Sequence, residues 1–170
     1  MDMATINFEV YEDSVNFLGI ASVNLPNLSW LTASINGAGI AGNVEVPIIG
    51  HTDAMTTTLN FRNMTQEAIR LWEPRRHNLD LRIAREDEDT VSGLLDVTRL
   101  KHILVCVPKT LNGGTIAPAS PGDGSIELAT HYFATWINGK KMTEVDPLNY
   151  IGIVNGVDYL AEVRAALGKS

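Results

Sequence analysis

From Ile126 to Ile137 the chain alternates along a strand-like run and then meets Asn138-Gly139. Successive side chains of a strand point to opposite faces, so this pattern specifies a strand with a buried side. Ile126, Leu128, Tyr132, Ala134 and Trp136 fall on one face, and Ala129, Phe133 and Ile137 on the other. Asn-Gly suits a two-residue type I′ turn, where both central residues need positive φ. A return strand, Met142 to Val145, leads into Asp146-Pro147-Leu148-Asn149. Val154-Asn155-Gly156-Val157-Asp158 follows, and a C-terminal helix over 157–167 stops at Gly168. Leu160, Val163 and Leu167 give that helix an apolar stripe, and Gly168 suits the left-handed residue that ends a helix.

The remaining chain repeats the strand theme. Ile6, Phe8 and Val10 alternate with polar neighbours, and Val15, Phe17, Ala21 and Val23 continue in that style up to Pro26. Val44, Val46 and Ile48 form another set, as do Met55, Thr57, Leu59 and Phe61, and Leu79, Leu81 and Ile83. Leu94 to Val107 is apolar on both faces, and Pro108 either ends it or marks a sheet edge. One further helix is expected, capped by Asn63 or Thr65 and striped by Ala68, Leu71 and Trp72, with Pro74 as its stop. Two loops interrupt the strands: a glycine-rich one over 35–43 and a proline- and glycine-rich one over 108–124. No linker divides the chain, so residues 1–170 are expected to form one domain. The fold expected is mainly β (α+β): an antiparallel β sandwich or barrel with one or two short flanking helices.

With 170 residues, 45% of them hydrophobic, a folded core is affordable and disorder is excluded. No apolar run is long enough for a membrane anchor. Met1-Asp2-Met3-Ala4 lacks the basic start of a secretory signal, so synthesis in the cytoplasm is expected. Twenty acidic against thirteen basic residues give a net charge of −7, which disfavours specific nucleic-acid binding. The single cysteine, Cys106, lies in an apolar run and reads as a core thiol.

A search for chemistry finds little. His51 and Asp53 lack a third metal ligand at diagnostic spacing, and His77, His102 and His131 are scattered. The acidic run Glu86-Asp87-Glu88-Asp89 lacks the glycine and distal glutamate of a calcium loop. Gly37-Ala38-Gly39-Ile40-Ala41-Gly42 matches no phosphate-binding pattern. Trp30, Trp72 and Trp136 read as core or subunit-interface residues. No catalytic, metal or cofactor site is therefore expected. An apolar sheet with only two short helices to cover it leaves surface for another chain, and open β edges need a partner.

Several of these motifs also carry a resemblance. Thr130-His131-Tyr132-Phe133, Ile137-Asn138-Gly139-Lys140, Glu144-Val145-Asp146-Pro147 and Asn155-Gly156-Val157-Asp158-Tyr159-Leu160 follow one another like the carboxyl end of major tail tube proteins. The pattern is similar to contractile-tailed phages of the P2 type and to R-type tailocins. Upstream, Leu25-Pro26-Asn27-Leu28 resembles an "LPKL" motif and the 37–42 segment a "GAGMNG"-like loop. The 108–124 loop departs from those relatives in being rich in proline and nearly uncharged.

The resemblance implies a tail-tube-like fold and no enzymatic activity. It implies homohexameric rings that stack into a hollow tube inside a contractile sheath, with baseplate and tail terminator proteins as further partners. The tube is then driven through a target envelope, and DNA passes the lumen of a phage tube without specific binding. Gly37, Gly39, Ile40 and Gly42 become candidates for reaching a neighbouring subunit or ring. Leu25, Pro26, Leu28, Tyr132, Asn138, Gly139, Asp146, Asn155, Gly156, Val157 and Asp158 become family scaffold positions. Two rival readings are a ligand-binding β sandwich and a tube ring protein like that of type VI secretion.

Overall fold

The computed structural model describes residues 1–13, 15–16 and 19–169; Phe17, read above as part of a strand face, lies outside them. In chain order the elements are β1 (Asp2–Glu12), β2 (Val15–Asn16), β3 (Ile20–Asn24), β4 (Trp30–Ile35), β5 (Val44–Thr52), β6 (Met55–Phe61) and α1 (Gln66–Arg70). Then come β7 (His77–Glu88), β8 (Leu95–Asn112), β9 (Ser125–Ile137), β10 (Lys140–Asp146), β11 (Ile151–Val154), β12 (Val157–Asp158) and α2 (Ala161–Ala166). The chain is mainly β and its pairings are antiparallel, as the alternating patterns predict.

The main path runs β12-β11-β10-β9-β8-β7-β1-β2, and β6 branches from β9 carrying β3 on its far side. β6 pairs with β9 from Ser125 to Thr130, whereas β10 takes the same edge of β9 from Phe133 onward. This branch puts β6, β3 and α1 over one face of the β1-β7-β8-β9 leaf. The core lies between the two layers and joins Val10, Leu59, Phe61, Leu71, Leu79, Leu81, Leu104, Ile126 and Leu128. β6 alternates perfectly between buried and half-buried positions. Cys106 is fully buried, and that burial pushes its thiol up to about 12, so the core-thiol reading holds.

Bulges explain where the alternation misleads. Val105 faces Tyr132 while the next residue, Cys106, faces Thr130, so His131 is an extra, exposed residue in β9. An inserted residue shifts the period-2 phase. Ile126 and Leu128 therefore face the core together with Phe133, and Tyr132 and Trp136 turn to the opposite side. The single apolar face read through Ile126, Leu128, Tyr132, Ala134 and Trp136 is thus corrected. A second shift between Thr5 and Asn7 takes Ile6 out of the Phe8–Val10 face and leaves it 56% exposed.

Other expectations need adjustment. β8 continues through Pro108 to Asn112, so the expected 108–124 loop shrinks to 113–124. Pro108 does sit where β8 has become an edge, because β7 stops pairing at Cys106. Thr65, not Asn63, caps α1: its hydroxyl accepts from the Ala68 amide at 3.3 Å. Asn63 instead accepts from the Gly122 amide at 3.1 Å and ties down the 113–124 loop. Trp72 is 40% exposed and so falls outside the α1 stripe. None of the three tryptophans is in the core.

Most polar groups within the core are paired, although the Glu12 Oε2 atom is buried with no partner among the described residues. The Thr57 and Thr130 hydroxyls meet at 2.7 Å across the β6–β9 seam. His102 stacks on Phe133 and reaches Thr135 at 2.9 Å, and burial lowers its pKa. Glu12 and His77 are fully buried and meet at 2.7 Å, with Arg75 on the same carboxylate oxygen at 2.8 Å. Unpaired, such a buried carboxylate would be strongly destabilising.

Because the bulge decides which aromatic is core, Phe133→Ala should cost about 3–5 kcal/mol in urea unfolding of the subunit. Trp136→Ala should cost clearly less, although tryptophan is the larger side chain. The reverse order would place the bulge elsewhere.

Candidate assembly surfaces

The glycine-rich segment is the tip of a separate β4–β5 ribbon, a two-stranded sheet outside the main path. An isolated two-stranded ribbon is marginal in water and needs a surface to lie on. Leu31, Ile35, Val44 and Ile48 are all exposed, with Ala33 opposite Val46 between them. Thr32, Ser34 and Glu45 occupy the alternate positions, and Thr32 donates to Glu45 at 2.6 Å. The ribbon is therefore amphipathic, and the described residues do not cover its apolar side. At the tip, Gly37, Gly39 and Gly42 all have positive φ, and the Ile40 amide donates to the Gly37 carbonyl at 3.1 Å. This geometry holds Ile40 outward, 39% exposed.

The base of the ribbon is socketed on the C-terminal module. Gly50 has φ of +80° and a Cβ there would overlap the Leu160 methyl groups. Leu160 is buried and also touches the Gly152 position of β11. A narrow apolar cavity of about 80 Å³ beside it is lined by Leu28, Trp30, Val145 and Pro147, among others. Leu25 is exposed and Pro26 buried in the segment that brings β3 to β4. Glycine inside a strand pattern signals close backbone approach, and that was the available sign of the Gly50 contact.

Two Asn-Gly turns shape the C-terminal module. Asn138 and Gly139 have φ of 50° and 80°, giving the expected tight turn between β9 and β10. The Asn138 side chain also accepts from the Arg99 amide at 3.1 Å. Asn155 and Gly156 repeat this geometry with φ of 52° and 77°. They join β11 to β12, so Val157 and Asp158 are strand residues and not the first turn of a helix. α2 starts at Ala161, and Val163 and Leu167 of its expected stripe stay 37% and 55% exposed. Gly168 ends it as anticipated: its amide reaches Ala165, and that of Lys169 reaches Arg164.

The acids of this module are locally bound. Asp146 is buried and accepts from the Asn149 amide and side chain at 3.3 and 2.6 Å. Asp158 pairs with Arg164 and accepts from the Leu160 amide at 3.0 Å. The Arg164 guanidinium holds the Asp158 carboxyl below the usual carboxylate range. Arg164 also donates to the Tyr150 carbonyl at 2.7 Å, tying α2 to the turn before β11. Tyr132 donates to Glu144 at 2.8 Å, and Lys141 pairs with the other oxygen of that carboxylate at 2.8 Å.

Two further surfaces were not picked out from the sequence. β2 pairs only with Tyr11 and Glu12, which leaves the outer edge of β1 open from Asp2 to Val10 among the described residues. The face of the β1-β7-β8-β9-β10 leaf opposite the core carries a charged row, Glu9, Arg82, Lys101, Trp136 and Lys141, one residue from each strand. Lys101 and Lys141 lie over the Trp136 ring at 5.5 and 5.2 Å. A depression of about 560 Å³ is lined by Glu9, Arg82, Lys101 and Trp136 of this row together with Phe8 and Leu100. Among the described residues no group of three metal-ligating side chains forms, and no helix is long and apolar enough to cross a membrane.

The projecting apolar ribbon and, among the described residues, the open strand edge are surfaces of the kind that a neighbouring chain covers in structural proteins. The model of the family Phage tail tube protein FII matches residues 4–168, and the chain belongs to that family of structural tail tube proteins. The tail tube protein of Escherichia phage P2 is 24% identical over 164 residues, covering 94% of this chain and 93% of the phage protein. Solved structures share the fold. A chain of the structure of the PVC sheath/tube terminator, from an extracellular contractile injection system in its extended state, matches with a TM-score of 0.56 at 12% identity, over 77% of this chain and 94% of its own. A chain of the PVC sheath-tube complex matches with a TM-score of 0.52 at 13% identity, over 76% and 88% respectively. A chain of the anti-feeding prophage baseplate gives 0.52 at 10% identity, over 80% and 97%. These findings favour a tube subunit of a contractile apparatus over a ligand-binding sandwich.

Two outcomes test the module's construction. Gly50→Val should free the ribbon from Leu160, making residues 30–52 susceptible to limited proteolysis at temperatures where the core still resists. The Asp158 carboxyl is depressed in the folded state, so its stabilisation is complete above its unfolded value of about 3.9 and is lost as pH falls through the lower folded value. Asp158→Asn should therefore flatten the acid limb of a stability–pH curve and leave its alkaline limb unchanged.

Proposed function

We propose that copies of this chain close into homohexameric rings, and that the rings stack into the hollow inner tube of a phage tail or tailocin. Family membership places the chain among tail tube proteins, and one feature of the molecule supports self-assembly most directly. The β4–β5 ribbon projects an apolar side that its own chain does not cover. Apolar area is stabilising only when removed from water, at about 25 cal/mol per Å². A neighbouring copy supplies the missing cover for each ribbon in turn.

The open β1 edge gives ring closure a second element. Its unpaired amides and carbonyls can hydrogen-bond a strand of the next subunit, as in β-strand addition. Such head-to-tail contacts close by rotation, while stacking of rings remains open-ended. Gly37, Gly39, Ile40 and Gly42 form the leading tip of the ribbon and are assigned to contact with a neighbouring subunit or ring. The scaffold positions Tyr132, Asn138, Gly139, Asp146, Asn155, Gly156 and Asp158 hold the module against which the ribbon base is seated.

In this reading the partners beyond the chain itself are a contractile sheath, a baseplate and a tail terminator. The reaction is mechanical, so the subunit needs no catalytic group or cofactor. Subunits are made in the host cytoplasm and end in the assembled particle, and DNA passing a phage tube meets no specific binding site.

Electron microscopy of concentrated protein, seeded where necessary with baseplate, should show rings or tubes with a central hole. Ile40→Asp should abolish those tubes while leaving the melting temperature of the subunit unchanged. Gly39→Val, which forces a β-branched residue to φ of +91°, should act in the same direction. Equal loss of fold and assembly in both variants would overturn the role of the tip, and a strictly monomeric wild type at every concentration would overturn the tube.

A further inference from the structure

β7 and β8 stay paired to their ends, with Glu88 opposite Leu95, and no residue from 84 to 99 joins the core. The end of this hairpin is apolar and exposed: Val91 is 94% exposed, Leu94 69%, Leu95 63% and Val97 51%. Five acidic residues, Glu86, Asp87, Glu88, Asp89 and Asp96, share the segment with one base, Arg85. Asp87 is bound to Arg85 at 3.1 Å, and Asp89 closes the turn by accepting from the Val91 amide at 3.0 Å. Glu86 and Glu88 alternate onto the other face, where Val97 and Leu95 lie directly across from them. Among the described residues neither carboxylate takes part in an ion pair. The hairpin therefore carries aliphatic side chains beside two uncommitted negative charges.

The other end of β7 has the complementary character. Residues 62–76, which hold α1 and the turn into β7, contain four arginines and two glutamates. Arg75 is committed to Glu12 and Glu73. Arg70, half-buried, and Arg76, exposed, form no ion pair among the described residues. Ile69 and Trp72 are 54% and 40% exposed, and the Trp72 amide donates to the Ile69 carbonyl at 2.9 Å, which brings the two residues together on one turn. This corner sets apolar side chains beside uncommitted positive charges.

The two patches cannot meet within one chain. β7 separates them, and its 12 residues span roughly 36 Å at about 3.3 Å per residue. We propose that the acidic, aliphatic end of the β7–β8 hairpin docks on the basic α1 corner of a second copy of this chain. The proposal rests on the reading that copies assemble, and it adds to that reading a contact apart from the β4–β5 ribbon. Val91, Leu94, Leu95 and Val97 meet Ile69 and Trp72, while Glu86 and Glu88 meet Arg70 and Arg76. Apolar side chains at the centre with opposite charges around them give such a contact both cover from water and a fixed orientation. The contact is head-to-tail: each bound copy still offers a free hairpin at one end or a free corner at the other.

Charge reversal and crosslinking test the contact. Glu86→Lys with Glu88→Lys should slow tube growth from baseplate seeds by about tenfold or more, and Arg70→Glu with Arg76→Glu should do the same. The four substitutions combined restore opposite charges across the contact, and growth should return to within about threefold of wild type. Growth of both double variants at the wild-type rate, or no recovery in the combined variant, would overturn the contact. A second measurement does not depend on how the charge variants fold. In Val91→Cys/Ile69→Cys tubes under mild oxidation, disulfides should link copies into a ladder of multimers, with the native Cys106 silent because it is fully buried. Dimers alone, or no crosslink in tubes seen to be intact, would overturn the contact and leave the tube reading standing. A wild type that forms no tubes at all would overturn both.

Discussion

Strand β9 changes partner halfway along, and the molecule is organised by that exchange. Up to Thr130 its free edge is hydrogen-bonded to β6; from Phe133 it is hydrogen-bonded to β10. The extra residue His131 lies at the changeover, where a bulge adds twist and separates the two strands competing for one edge. The first half thereby carries the covering layer and the second half carries the C-terminal module. A regular β9 would have one neighbour on that side, and the chain would form a single sheet with no enclosed core.

This division also distributes solvent among the surfaces. The covering layer makes one face of the leaf dry and leaves the charged row of Glu9, Arg82, Lys101 and Lys141 on the opposite face. The ribbon stands apart from both, apolar on one side and anchored only at its base. Such a molecule has an enclosed core of its own and an apolar ribbon that the described residues leave uncovered. Complete self-coverage would remove the drive to associate, and a larger exposed apolar area would promote aggregation in no defined register.

Much of this was legible in the sequence because it is local. The strands β6 and β7, the Asn138-Gly139 turn and the Gly168 helix stop each depend on a few adjacent residues, and each occurs where the pattern placed it. Bulges were not legible, since an inserted residue leaves no compositional mark; Phe133 and Tyr132 were consequently assigned to the wrong faces. Asn155-Gly156 was read as the approach to a helix although the same dipeptide earlier in the chain was read as a hairpin turn. A strand of two residues, β12, has too little alternation to announce itself. The motif residues were visible as a family pattern, whereas the open β1 edge and the charged row require knowing which strands are neighbours. Pairing between distant segments is set by the whole fold, and no window of sequence contains it.

The contact between Gly50 and Leu160 joins an early part of the chain to a late one. Residues 30–52 leave the ribosome long before the residue against which their base is seated. A nascent ribbon therefore has its apolar side before it has the residue that seats its base. Only release of the C-terminal module locks the angle. The seat of the ribbon is in this way completed last, by the order in which the chain is made.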